Sequence, residues 1–181
     1  MSDILTLSKK VLLLGDPAVG KTSLIRKFVY DMFDDKYIST LGTKISRKRL
    51  EYNHPNNFGK IELKLMIWDV MGQKEYEMVH QSAYLGGQGA LIICDLTRHQ
   101  TLENTENWIS SLYTVTGEIP IVIIGNKCDL TNQKQIELND IEQRAKTFNV
   151  PIFLASAKTG ENVEISFRTL GERIVKADYG G

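Results

Sequence analysis

Long apolar runs are missing from this 181-residue chain; the longest are strand-sized, which excludes a transmembrane helix as an expectation. Cysteine is scarce. Cys94 and Cys128 each sit beside an apolar run with no spacing that suggests a metal, so a reducing, cytosolic compartment is the simplest reading. An excess of either charge is also lacking: Lys+Arg and Asp+Glu are 22 each, so net charge gives no hint of nucleic acid or an anionic membrane surface, and no nucleic-acid partner is expected. The opening Met1-Ser2-Asp3-Ile4-Leu5 has neither the cationic segment nor the cleavage site of a signal peptide. Ser2 stands where N-myristoylation needs glycine, and Ala177-Asp178-Tyr179-Gly180-Gly181 offers no cysteine for prenylation. The expectation is a monomer with no membrane anchor in the chain as given, cytoplasmic, and brought to membranes by partners if at all. Repeats and low-complexity tracts are absent. What is present is ordinary for a folded protein: 42% hydrophobic and 24% charged residues exclude disorder as the main state, and the length suits one domain over residues 1–181.

Four apolar runs, Val11–Leu14, Ala90–Cys94, Ile121–Ile124 and Ile152–Ala155, alternate with amphipathic stretches near 21–31, 101–115, 138–148 and 162–176. Continuous runs suit strands covered on both faces, as in a parallel sheet. Thr101 and Asn139-Asp140 are candidate caps for the second and third helices. Residues 44–52 and 60–69 also read as strands, joined by a linker too short for a crossover helix, so they should form an antiparallel hairpin at one sheet edge. The expected fold is α/β, a mostly parallel six-stranded sheet with one antiparallel edge hairpin and helices on both faces.

Gly15-Asp16-Pro17-Ala18-Val19-Gly20-Lys21-Thr22 fills G-x-x-x-x-G-K-[ST] directly after Val11–Leu14. A buried strand ending in a glycine-rich turn and restarting as a helix converges several backbone N–H groups, with the helix dipole behind them. A plain strand-to-helix turn is the bland alternative, but only a polyphosphate makes use of so many donors. Asp69 closes the hairpin's second strand in Trp68-Asp69-Val70-Met71-Gly72-Gln73. A carboxylate there can hold a Mg²⁺-bound water, Gly72 permits close approach to a terminal phosphate, and Gln73 can orient an attacking water. Taken alone, an Asp-x-x-Gly turn with a surface glutamine is equally common.

Asn126-Lys127-Cys128-Asp129 follows the third apolar run. An ionised Asp129 offers two acceptors side by side, matching the N1–H and N2 donors of guanine; adenine would leave the carboxylate desolvated and unpaired. Lys127 could lay its aliphatic stem along the ring. In Ala155-Ser156-Ala157-Lys158, Ser156 could brace Asp129 while the Ala157 N–H reaches the guanine carbonyl, although the segment is also a plain β-to-α loop.

These four motifs, in this order and spacing over about residues 9–176, resemble Ras-like small GTPases of the P-loop NTPase class. Lys64–Asp69 and Asn126–Leu130 are similar to Rab segments, and nothing after Asp129 is long enough for the helical insert of Rho proteins. The resemblance implies GTP or GDP as bound nucleotide with Mg²⁺ as cofactor. It gives residues 16–23 (Asp16, Pro17, Ala18, Val19, Gly20, Lys21, Thr22, Ser23) and Gly72 to the phosphates, with Lys21 on the β- and γ-groups. Thr22, Thr40 and, through water, Asp69 go to the metal. Phe33 would pack edge-on against the base and Asp34 and Asp35 lie near the ribose, with Asn126, Lys127, Asp129, Ser156, Ala157 and Lys158 completing the base site. Gln73, Lys21 and Thr40 would carry hydrolysis. Residues 32–43 and 70–84 become switch segments ordered by the γ-phosphate. Effectors, an exchange factor and an activating protein are the implied partners; no arginine finger is identifiable in cis, so fast turnover would need one in trans.

Some positions depart from the pattern. Val70-Met71 replaces the usual Thr-Ala, Lys74 follows Gln73, and Ile45 and Ala83 stand where Rab proteins place effector-contacting aromatics. Pro17 lacks an N–H at a position often glycine in Ras. A nucleotide-locked binding module without turnover is the rival from another class, and an ATP-dependent P-loop enzyme a second; Gln73 and Thr40 argue against the first and Asp129 against the second.

Overall fold

The computed structural model describes residues 4–33, 43–56, 59–70 and 77–179. Six strands, β1 (Ile4–Leu14), β2 (Lys44–Asn53), β3 (Lys60–Asp69), β4 (Gly89–Asp95), β5 (Ile121–Asn126) and β6 (Ile152–Leu154), form one sheet in the order β2-β3-β1-β4-β5-β6. The β2–β3 pair is antiparallel and every other pairing parallel, as the hairpin's short linker requires. Among the described residues six helices surround the sheet, α1 (Lys21–Tyr30), α2 (Glu77–Tyr84), α3 (His99–Glu103), α4 (Thr105–Thr116), α5 (Leu138–Phe148) and α6 (Val163–Tyr179), and a 3₁₀ turn spans Thr131–Gln133.

The apolar runs are continuous because successive residues serve opposite faces of the sheet. Val11, Leu13, Leu91, Ile93, Val122 and Ile124 pack with α1 and α6, where Phe28 stacks on Phe167 at 4.0 Å. Leu12, Leu14, Ala90, Ile92, Ile121 and Ile123 pack with α4 and α5 around Trp108, Ile109 and Ile141. Burial raises the Cys94 thiol to about 12 and the Cys128 thiol to about 11, leaving both as inert core groups. No helix among the described residues is long and apolar enough to cross a membrane.

Three expectations need correction. The second helix is two: α3 ends and α4 begins at Asn104, and Thr101 is an interior residue of α3 whose hydroxyl accepts from the Asp95 N–H at 2.9 Å. The α5 cap is Glu137 rather than Asn139 or Asp140; Asp140 is the reciprocal partner, its carboxylate accepting from the Glu137 N–H at 2.9 Å. And β1 starts at Ile4, seven residues before the apolar run, because polar residues alternate where only β3 lies beside it.

Chain order reverses at β1, which lies between β3 and β4. Such switch points leave a crevice outside the carboxyl ends of the strands. Gly15, Asp69, Asp95, Asn126 and Ala155 all stand at or just beyond those ends.

Candidate functional site

The crevice is organised around the loop from Gly15 to Gly20. Gly15 (φ 149°) passes so close to β4 that a Cβ would strike the Ile93 carbonyl oxygen, and a Cβ on Gly20 (φ 100°) would strike the Asn126 amide. Both glycines are therefore demanded by close approach as well as by backbone conformation. Ala18 also holds a left-handed conformation, φ 61°.

The loop's carbonyls are bound one after another, by Lys21 just after the loop and by side chains from distant elements. The Lys21 Nζ donates to the Gly15 and Asp16 oxygens at 2.8 and 2.9 Å. Arg98 Nη2 donates to Pro17 (2.8 Å), Lys127 Nζ to Ala18 (3.0 Å) and Asn126 Nδ2 to Val19 (2.8 Å). A planar trans peptide directs its N–H opposite to its C=O. Fixing the carbonyls of Pro17, Ala18 and Val19 on one side thus turns the N–H groups of Ala18, Val19 and Gly20 to the other. The N-terminus of α1 follows at Lys21, with Ser23 half-buried in its first turn. Three aimed donors beside a helix N-terminus make an anion cradle.

Asp95, buried at the end of β4, orients two of those clamps. Its carboxylate accepts from Lys127 Nζ (2.6 Å), Arg98 Nε (3.0 Å), and the N–H and hydroxyl of Thr97 (2.9 and 2.7 Å). Burial alone would raise its pKa; the hydrogen bonds from Lys127 and Thr97 outweigh that and hold it below the usual carboxylate range. Sequence reasoning missed Asp95 and Arg98. The available signal was a carboxylate directly after a buried run, the same placement that singled out Asp69.

On the other side of the cradle, the Thr22 hydroxyl donates to Asp69 Oδ2, while Asp69 Oδ1, also buried, has no partner among the described residues. Burial raises the Asp69 pKa against the opposing pull of Thr22 and Lys21. A hydroxyl and a carboxylate with an unused buried oxygen are the hard donors that Mg²⁺ takes, so the residues fit that ion. Lys21 is itself 7% exposed, and burial lowers its pKa to about 8 despite the charges of Asp69 and Asp16.

Several of the residues expected at the base lie in one hydrogen-bonded cluster. Ser156 Oγ donates to Asp129 Oδ1 at 2.6 Å and accepts from the Thr159 N–H, so the bracing of Asp129 is present. Asn126 is fully engaged in tying loops together, its Oδ1 accepting from the Ala157 N–H at 3.2 Å; the N–H expected at the base carbonyl is directed to Asn126 in this structure. Lys127 (φ 69°) reaches Ala18 and Asp95 through its Nζ, and Lys158 is exposed on the next loop. Phe33 is 38% exposed. Asp34, Asp35, Thr40, Gly72 and Gln73 lie outside the described residues.

The Ras family model matches residues 10–176 of the chain. Ras-related protein Rab-27B of Homo sapiens is 36% identical, over 92% of this chain and 79% of its own length. Ras-related protein Rab-8B of Bos taurus is 34% identical (92% and 78%), and Ras-related protein Rab-21 of Dictyostelium discoideum 36% (93% and 77%).

Proposed function

Because this chain belongs to the Ras family of small GTPases, with Rab proteins as its relatives, we propose that it is a Mg²⁺-dependent GTP/GDP switch that hydrolyses GTP slowly by itself and recruits effectors in the GTP state. One observation carries the reading: three consecutive loop carbonyls clamped by Arg98, Lys127 and Asn126, which aims the intervening N–H groups at a polyphosphate. In this proposal Lys21 grips the β- and γ-phosphates while keeping the Gly15 and Asp16 carbonyls as its fixed acceptors. Thr22, Thr40 and, through water, Asp69 hold the metal, which when bound neutralises developing charge on the phosphate oxygens. The braced carboxylate of Asp129 accepts from N1–H and N2 of guanine, with the Lys127 stem against the ring, Phe33 at its edge, and Asp34 and Asp35 near the ribose. Gly72 lets the backbone approach the terminal phosphate, and Gln73 positions the attacking water, the step where alignment governs the rate.

A single G domain over 1–181, a cytoplasmic setting, and an exchange factor and activating protein as partners belong to the same proposal. Ile45, 46% exposed and paired with Trp68 across the hairpin, gives the effector side an aliphatic rather than aromatic contact. Single-turnover hydrolysis of GTP, with ATP as competitor, tests the whole reading. GTP should be bound in preference to ATP and cleaved to GDP. Tight binding without cleavage would instead establish the nucleotide-locked module.

A further inference from the structure

The loop carbonyls account for one side of the cradle's support; a side chain accounts for the other. Asp16, 8% exposed, turns its carboxylate away from the cradle and into the sheet-to-helix layer. Each oxygen there meets a donor from one helix: Asn104 Nδ2 reaches Oδ2 at 2.5 Å and Trp108 Nε1 reaches Oδ1 at 2.8 Å. Positions 104 and 108 are one helical turn apart, so both donors project from the same face. Asn104 also forgoes a local role to do this. It is the residue before α4, where an asparagine side chain ordinarily caps the helix at a value of about 1 kcal/mol, yet it makes no such cap. Its oxygen accepts from Gln100 Nε2 at 3.2 Å instead, which orients the amide toward Asp16.

We propose that Asp16 is a positioning residue: its carboxylate, gripped by Asn104 and Trp108, fastens the phosphate-binding loop to α4 and so slows the release of guanine nucleotide. The inference rests on the GTP/GDP reading above and adds a role to a residue whose backbone alone that reading uses. The physical reason is the loop's shape. Pro17 and Ala18 are exposed, and Gly15 holds a backbone conformation that glycine leaves freely. Arg98, Lys127 and Asn126 restrain the far half of the loop, whereas the near half is held by Lys21, which must also serve the phosphates, and by this clasp. Releasing Asp16 lets the Gly15 and Asp16 carbonyls drift, and with them the lysine they anchor.

The test measures release of N-methylanthraniloyl-GDP from the full chain with Mg²⁺ present, alongside the indole N–H resonance of Trp108, told from that of Trp68 by its loss in Trp108→Phe. Asp16→Asn sets an amide donor against one of two donors and should speed release about tenfold, the loss expected for one charge-assisted hydrogen bond. Trp108→Phe, which never approaches the nucleotide, should also speed release. Combining D16N with N104D reverses one hydrogen bond and keeps the other, so release should return to within about threefold of the parent and the indole resonance should move back. Parent-like release from both single variants, despite a displaced Trp108 indole resonance in D16N, would overturn the proposal by making the clasp purely architectural. Release from the exchanged pair as fast as from D16N alone would overturn it too, by assigning the effect to charge. A parent chain that fails to bind the probe would overturn the nucleotide reading itself, and this inference with it.

Discussion

Raising the pH of nucleotide-free protein through 8 should weaken its hold on GDP, and the size of the effect follows from the burial of one ammonium. Lys21 is 7% exposed and held by two carbonyls, and its burial lowers its pKa from 10.5 to about 8, with Asp69 and Asp16 opposing and Arg98 assisting. That gap is worth about 3 kcal/mol. The sign follows from proton counting. At pH 7 the folded and unfolded chains both carry the proton, so the folded chain bears the full cost of the buried charge. Between 8 and 10.5 the unfolded chain holds more protons, so the stability of the nucleotide-free protein rises with pH across that window. Phosphate oxygens beside Lys21 favour its charged form, so binding above pH 8 must take up a proton. About a quarter of a proton should be absorbed per GDP at pH 7.5 and about three quarters at pH 8.5, with affinity about threefold weaker at the higher value. Isothermal titration in two buffers of different protonation enthalpy reads the proton directly, and Lys21→Met should erase the step. Equal uptake at both pH values, with unchanged affinity, would refute the reasoning.

Asp129→Asn should weaken GTP by about 100-fold, through loss of a charge-assisted acceptor, and improve binding of xanthosine triphosphate, whose C2 carries an oxygen; competition binding with the two nucleotides checks both directions. Gln73→Leu should slow single-turnover hydrolysis by about tenfold or more while leaving nucleotide affinity within about threefold. Phe167→Ala removes the ring stacked at 4.0 Å and 8° on Phe28 and should destabilise the protein by about 3–5 kcal/mol in urea unfolding.

Local patterns were readable where one element settles the outcome by itself. Val11–Leu14 and Ile121–Ile124 read as buried strands because both faces are covered, and the glycines of the loop declared a turn whose geometry only they tolerate. The break at Asn104 was hidden because its cause is remote: the amide that would cap α4 is drawn to Asp16, 88 residues earlier. The braces of the cradle were hidden for the same reason, since Arg98 looks like a surface cation, and Lys127 like a partner of the base alone, until Asp95 and the loop carbonyls are placed beside them. Glu137 escaped notice because glutamate is a weak cap; its value here comes from the reciprocal bond to Asp140.

The cradle's struts span long stretches of chain: Asn126 reaches Val19 across 107 residues, Lys127 reaches Ala18 across 109, and Trp108 reaches Asp16 across 92. Contacts so distant in sequence form late and slowly, because closing each loop costs entropy before the contact can repay it. A folding intermediate holding only β1, the hairpin and α1 would possess the whole glycine-rich motif with Lys21 beside it and none of the distant braces. Nucleotide is therefore expected to stabilise the complete molecule rather than a fragment of it. Because Asn126 and Lys127 follow the loop by more than 100 residues, its far half lacks those two struts until β5 joins the sheet.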